Sequence, residues 1–337
     1  MTRPDRGAPL RAPMPISIDA KPIDEGQFVE INGIEQWIAI RGRDRRNPVL
    51  LVLPGPGGAL SPLAPVYTPW ETAFTLVHWD QPGAGATHAK NGENEGALSF
   101  DRLRRDLIGA IKFVRARLEV EKVVFLGASG GTVPGLKLAR ARPDLLAAYV
   151  GTGQVVNWAR QEALAYEMIL DRARKEGNLD AVSELERLGP PPWADVASVA
   201  TKAKYANAPT QKEAAAMAAI APYFSGAHIP PADATYVPHG LKRFDPIEQA
   251  TAVFAALKPE FETFDARALG TRFEVPMIFL QGAEDAHTVS SEVEAYAAEI
   301  AAPHKAYVAI PGAGHLACFL VEEMLGLLKT HVLPVVR

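Results

Sequence analysis

Cysteine is almost absent from the sequence. Cys318 stands alone, so no intramolecular disulfide can form, and the composition suits a reducing, cytoplasmic setting. Cys318 follows an apolar run and reads as packing, because a nucleophilic thiol needs an activating base and a lowered pKa. Apolar runs long enough to span a bilayer are also missing. The N-terminus, MTRPDRGAPLRAPMPISIDA, carries prolines and charges where a secretory signal has an apolar stretch. No membrane partner is expected. Charge of one sign is lacking too: 35 basic against 39 acidic side chains leave a net charge of −4, which makes no electrostatic case for nucleic acid. The one basic cluster, Arg102, Arg104 and Arg105, stands beside Asp101 and Asp106 on a helical pattern and reads as a solvated face. There is no internal repeat and no low-complexity tract.

What is present is ordinary for a globular chain. Of 337 residues, 48% are hydrophobic and 22% charged, enough for one large α/β domain or a domain with a sizeable insertion. Residues 1–25 read as an irregular N-terminal arm. FVEINGIEQWIAIRG predicts a hairpin turning at Asn32-Gly33. Short apolar runs then alternate with longer helical patterns, the rhythm of a mostly parallel sheet flanked by helices. PVLLVLPGPGG and FTLVHWDQPGAGAT are strands ending in glycine loops. Residues 99–118 predict a helix with Ser99 as N-cap and an apolar stripe of Phe100, Leu103, Leu107, Ile111, Val114 and Leu118. KVVFLGAS is the next strand, and TVPGLKLARARP is a helix that tolerates Pro134 only in its first turn. The rhythm breaks near Thr152 and resumes at VPMIFLQGAED. The expectation is one sheet domain in two pieces, 26–151 and 271–337, separated by a helical insertion over 152–270.

Gly127-Ala128-Ser129-Gly130-Gly131 fits G-x-S-x-G between a buried strand and a helix. Such a turn is so tight that its serine adopts a strained backbone and its neighbours must lack side chains. The alternative is a tight turn without chemistry. A serine hydroxyl needs a base, and the base needs an orienting acid. His315 follows YVAIPGAG near the C-terminus, and Asp285 follows the strand MIFLQG. All three candidates, Ser129, Asp285 and His315, stand at carboxyl ends of predicted parallel strands, where open sheets place their sites. Glu284 is the alternative acid, and His287 shares the Asp285 loop. Glu284, Asp285 and His287 read as loop charge, because no second histidine shows metal-ligand spacing, and no metal is expected. An oxyanion would need two backbone N–H donors. Gly130 supplies one. In Leu53-Pro54-Gly55-Pro56-Gly57-Gly58 the prolines have none to give, so Gly55 is the second, with Gly57 the fallback.

These stretches resemble the α/β-hydrolase fold superfamily and, within it, the proline iminopeptidase-like branch. The matching segments are LPGPG at 53–57, DQPGAGAT at 80–87 and GASGG at 127–131, and the likeness runs over about 28–151 and from 271 to the end. Pro82 replaces the branch's arginine, Gly130 replaces its tryptophan, and its histidine before the first glycines is absent. The resemblance implies a triad of Ser129, Asp285 and His315, a helical cap over 152–270, and no cofactor. It also implies cap glutamates that hold a substrate amine. Glu162 and Glu167 are candidates by position alone and fit the polar face of a helix equally well. Trp158, Tyr166, Trp193, Tyr223 and Phe224 are the candidate apolar walls of a pocket. The expected activity is serine hydrolysis of a small molecule or short peptide: an N-terminal-proline peptide, an amide or a small ester. A carbon–carbon hydrolase or lyase on the same scaffold, and a non-catalytic small-molecule receptor, are the alternatives.

Overall fold

The computed structural model of the chain describes residues 21–221 and 246–336. Eight strands form one sheet: β1 (Ile23–Ile31), β2 (Ile34–Gly42), β3 (Val49–Leu53), β4 (Thr75–Trp79), β5 (Val123–Ala128), β6 (Leu146–Thr152), β7 (Met277–Gly282) and β8 (Lys305–Ile310). Their order is β1-β2-β4-β3-β5-β6-β7-β8. β1 and β2 pair antiparallel, β2 pairs antiparallel with β4, and every neighbour beyond is parallel. The hairpin turns at Asn32 and Gly33, whose φ values of 51° and 89° are those of a primed two-residue turn. β1 begins at Ile23, paired with Gly42, so residues 23–25 belong to the sheet and not to the arm expected there.

The central strands are unbroken apolar runs because both faces are covered. Val49, Leu51 and Leu53 of β3 pack into one core with Val123 and Phe125 of β5. Leu50 and Val52 point the other way, into a second core with Val124 and Leu126. The helix Phe100–Leu118 closes the first core with the stripe read from the sequence, and Ser99 caps it by accepting from the Arg102 N–H. The helix Val321–His331 closes the second through Met324, Leu325 and Leu328. Each fully buried side chain of this size contributes about 1.5–3 kcal/mol.

Between β6 and β7 the described residues form helices: Trp158–Lys175, Leu179–Leu188, Val196–Ala206, Gln211–Ile220 and Pro246–Glu262. Among the described residues no helix is long and apolar enough to cross a membrane.

One turn of the fold is crowded beyond the rest. β5 is flanked on both sides, by β3 and β6, so its carboxyl end is fixed in mid-sheet. The chain then reverses through Ser129 into the helix Thr132–Ala141. Ser129 has φ 53°, a left-handed conformation costing about 1–2 kcal/mol in a residue with a side chain. Gly131 is forced against β3: a methyl there would lie 2.4 Å from the carbonyl oxygens of both Leu53 and Pro54. No real contact is that short, and two backbone segments would have to part. We expect Gly131→Ala to destabilise the protein by on the order of 3 kcal/mol or more in urea unfolding. Gly326→Ala, on an open helical site with nothing within 4 Å of the added methyl, should instead stabilise it by up to about 1 kcal/mol.

Candidate active site

The sheet order sets the site. β5, β6, β7 and β8 run parallel side by side, so the loops leaving them share one rim. Ser129 follows β5, Asp285 follows β7 and His315 follows β8. Ser129 Oγ lies 3.0 Å from His315 Nε2, and His315 Nδ1 lies 3.0 Å from Asp285 Oδ2 and 3.2 Å from Oδ1. The carboxylate is fully buried and saturated with donors. Oδ1 accepts from the backbone N–H groups of His287 (2.8 Å) and Thr288 (2.9 Å); Oδ2 accepts from Gln281 Nε2 (2.8 Å) and the Thr288 hydroxyl (2.7 Å). Burial pushes the Asp285 carboxyl up, but the charge of His315 and the hydrogen bonds from His315, Thr288 and the His287 N–H outweigh it. The net result lies below the ordinary carboxylate range, so Asp285 stays ionised and holds the Nδ1–H tautomer of His315.

Neither alternative acid nor thiol competes. Glu284 is exposed and makes no bond to His315, and its N–H is bonded to the Ala313 carbonyl. Burial pushes the Cys318 thiol up to about 12, which suits packing. His287 is held far below the ordinary imidazole range by burial, by Lys202 and by His315, and so is neutral.

Gly55 and Gly130 meet beside the serine. A methyl on Gly55 would lie 3.7 Å from the Gly130 nitrogen and 4.0 Å from Ser129 Oγ. Both glycines line the cavity above Ser129, and Gly57 does not. The loop is shaped from behind by Gln81, whose Nε2 reaches the carbonyls of Gly55 (3.0 Å), Gly58 (3.3 Å) and Pro54 (3.5 Å). Its neighbour Asp80 accepts from Ser61 Oγ (2.8 Å) and the Ala86 N–H (2.9 Å). Gln81 of DQPGAGAT thus braces the glycine loop from just past β4, while Asp80 ties that turn to Ser61 and Ala86.

The cavity has a volume of about 840 Å³ and reaches from Ser129 to the helices between β6 and β7. Val155, Trp158, Val199, Phe254 and Phe261 make it largely apolar, and Asn207, Thr251 and His287 line it as well. Of the wall residues proposed from sequence, Trp158 is there. Trp193 and Glu162 line an adjoining cavity of about 270 Å³ that shares Trp158 and Val199 with the first. Tyr166 is instead a packing residue: its hydroxyl donates to the Leu185 carbonyl (3.1 Å) and its ring meets Trp193 edge-on. Glu167 is exposed and lines neither cavity, because it falls on the outer face of its helix. Tyr223 and Phe224 lie outside the described residues. Glu162 is buried, and its Oε1 is bonded at 2.5 Å to the ammonium of Lys202, itself fully buried; its Oε2 has no hydrogen-bond partner among the described residues.

Glu213 falls in the region that the sequence marks only as a helical insertion, with nothing there to single it out for the site. It is buried at the start of the helix Gln211–Ile220, where it completes a capping box with Thr210. Its Oε1 also accepts from the Gly314 N–H at 2.8 Å, one residue before His315. Thr210 Oγ1 donates to the Gly312 carbonyl (2.8 Å) and Lys212 Nζ to that of Pro311 (3.1 Å). The T-x-x-E pattern was a legible signal for the cap. Its second duty, fixing the histidine loop, was not.

Two outcomes follow from this geometry. A carboxylate with a lowered folded-state pKa stabilises the fold above its unfolded value, about 3.9, and loses that contribution as pH falls through the folded value. The stability gap between the native protein and Asp285→Asn should therefore be widest near neutrality and shrink below about pH 4; a gap independent of pH would contradict the assignment. A hydrogen bond to a charged acceptor is worth about 1.5–3 kcal/mol, so Glu213→Ala should speed hydrogen exchange at the Gly314 amide by roughly ten- to a hundredfold and leave the β5 amides unchanged.

Comparison with known proteins agrees with this architecture. The family described as alpha/beta hydrolase fold matches residues 48–320. A protein of Bacillus subtilis (strain 168) named as a probable aminopeptidase is 30% identical over 169 residues, 49% of this chain and 52% of that protein. One of Streptomyces coelicolor named as a probable proline iminopeptidase is 26% identical over 136 residues, 40% of this chain and 41% of its own. The chain thus spans about half the length, or less, of these curated relatives. Among solved structures, a proline iminopeptidase-related protein from Thermus thermophilus superposes with a TM-score of 0.61 at 19% identity, covering 93% of this chain and 99% of the other. An esterase from Thermogutta terrifontis gives 0.55 at 18%, covering 94% and 100%. At these identities the two structures speak for the fold alone. With most of its length matched by the family, the chain belongs to the alpha/beta hydrolase fold family.

Proposed function

We propose that the protein is a serine hydrolase that cleaves an ester or amide by way of an acyl-enzyme on Ser129. The observation that carries this reading is the unbroken line of contacts from Ser129 Oγ through His315 to Asp285, at 3.0 Å each. Ser129 Oγ attacks the substrate carbonyl carbon as its proton passes to His315 Nε2. The carbonyl oxygen takes up the charge and is held by the N–H groups of Gly55 and Gly130. His315 then gives the proton to the departing alcohol or amine, and the C–O or C–N bond breaks. Water, deprotonated by the same imidazole, attacks the acyl group and frees Ser129. Asp285 stays ionised throughout and stabilises the imidazolium.

The helices between β6 and β7 act as a cap that shapes the acyl pocket. Their apolar walls favour an uncharged, hydrophobic acyl group. A second reading, hydrolysis of N-terminal aminoacyl amides including prolyl ones, draws support from the relatives named as aminopeptidase and proline iminopeptidase. The Glu162–Lys202 pair weighs against it, since that carboxylate already has one cation on Oε1, while its Oε2 has no hydrogen-bond partner among the described residues. A cytoplasmic location fits the single cysteine.

A fluorophosphonate should label the native protein once, on Ser129, and leave Ser129→Ala unlabelled. The same substitution should lower turnover of p-nitrophenyl butyrate by about 10⁴-fold or more. Turnover of prolyl p-nitroanilide but not of the ester would favour the second reading. Labelling at another residue would contradict both.

A further inference from the structure

A buried charge chain runs beside the catalytic histidine and takes no part in the steps above. Glu162, on the helix Trp158–Lys175, bonds Lys202 Nζ at 2.5 Å. Lys202, on the helix Val196–Ala206, lies 3.1 Å from His287 Nδ1. His287 donates its backbone N–H to Asp285, and its ring centroid lies 4.5 Å from that of His315. Such an ion pair is an expensive way to join two helices, because apolar side chains of similar volume would do so without desolvating two charges. What the pair does that apolar residues would not is present a proton donor to one nitrogen of His287.

An ammonium donates and does not accept, so Nδ1 of His287 is the bare nitrogen and Nε2 carries the proton. Lys202 is fully buried and lies off the cavity, whereas His287 lines it. With Nδ1 occupied, Nε2–H is the polar atom this side chain has left to offer. No partner for it is found among the described residues. Around it the cavity walls are largely apolar, with Asn207 and Thr251 the further polar side chains that line the cavity beside Ser129.

Building on the hydrolase reading, we infer that His287 is a substrate-contacting residue: its Nε2–H, held in that tautomer by the Lys202–Glu162 pair, donates to an acceptor oxygen of the substrate near the scissile ester or amide. The substrates selected are therefore hydrophobic molecules carrying one further oxygen, an ether, hydroxyl or carbonyl, close to the reacting carbonyl. His287 neither accepts nor releases a proton in the reaction; it orients.

The two ring nitrogens can be tested separately. Asparagine places an acceptor where Nδ1 stands and removes the cavity donor. Glutamine places an N–H near Nε2 and gives up the acceptor for Lys202. The experiment uses full-length Ser129→Ala protein with ¹⁵N-labelled histidine, so that binding is read without turnover. The probes are ethyl methoxyacetate against ethyl butyrate, and 2-methoxyethyl acetate against butyl acetate, pairs that differ by one ether oxygen in the acyl or the alcohol part. In the free protein, the signal absent from the His287→Asn spectrum should show Nε2 protonated and Nδ1 not. In one of the two pairs the ether ester should bind about fivefold tighter than its hydrocarbon twin and shift the Nε2–H signal. His287→Asn should abolish that preference, and His287→Gln should keep most of it. A proton on Nδ1, or equal affinities within both pairs whichever residue stands at 287, would overturn the inference. Failure of the hydrolase reading would show separately, as native protein that leaves all four esters uncleaved and Ser129 unlabelled by fluorophosphonate.

Discussion

The close approach of the turn after β5 to the carbonyls of β3 is the constraint on which the rest of the site depends. A side chain at Gly131 would collide with the backbone of Leu53 and Pro54, and Ser129 is held at a positive φ that its own side chain resists. That arrangement lifts Oγ out of the strand and starts a helix directly behind it. It also fixes the spacing between the serine and the Pro54–Gly58 loop, because the same β3 residues that crowd Gly131 lead into Gly55. The proposed nucleophile and oxyanion donors are thus set by one packing event in mid-sheet, where β3 and β6 flank β5.

Electrostatics at the rim follow from burial opposed by donors. Asp285 is cut off from water, which alone would neutralise it, and five donor groups of the protein restore its charge. Two of those donors are backbone N–H groups of the loop after β7, so the carboxylate organises the loop that carries it. The insertion between β6 and β7 reaches the same machinery twice. Glu213 holds the N–H before His315, and Lys202 holds the ring of His287 beside it. The helices that roof the cavity are therefore tied to the loops of Asp285 and His315 by charged side chains as well as by apolar contact. A shift of the roof would be felt at the imidazole.

Much of this was legible in the chain itself, for local reasons. Apolar runs of the central strands, the Asn32-Gly33 turn and the stripe on Phe100–Leu118 each encode their element within a few residues. Ser129 announces itself by three flanking glycines, and Asp285 and His315 by standing just past apolar runs. What could not be read is what depends on partners far along the chain. Glu162 looks like one more carboxylate on an amphipathic helix, and only folding brings it the ammonium of a residue forty positions away. Tyr166 has the composition of a pocket wall, yet its partners are Leu185 and Trp193 in a helix-packing layer. Gln81 and Glu213 sit in recognisable short patterns, but their bonds to the Gly55 and Gly314 backbones cross between elements. His287 shows in the sequence only as a neighbour on the Asp285 loop; its contact with Lys202, and the burial that keeps it neutral, come from folding.

The most direct test of the central claim is a crystal structure of the protein after reaction with a small alkyl fluorophosphonate. Phosphorus should be bonded to Ser129 Oγ, with residue 129 at an unchanged positive φ. The phosphoryl oxygen should lie within hydrogen-bond distance of the Gly55 and Gly130 nitrogens, with His315 Nε2 facing the adduct. An adduct whose phosphoryl oxygen points away from both glycines, or a turn that has relaxed so that His315 no longer reaches residue 129, would contradict it.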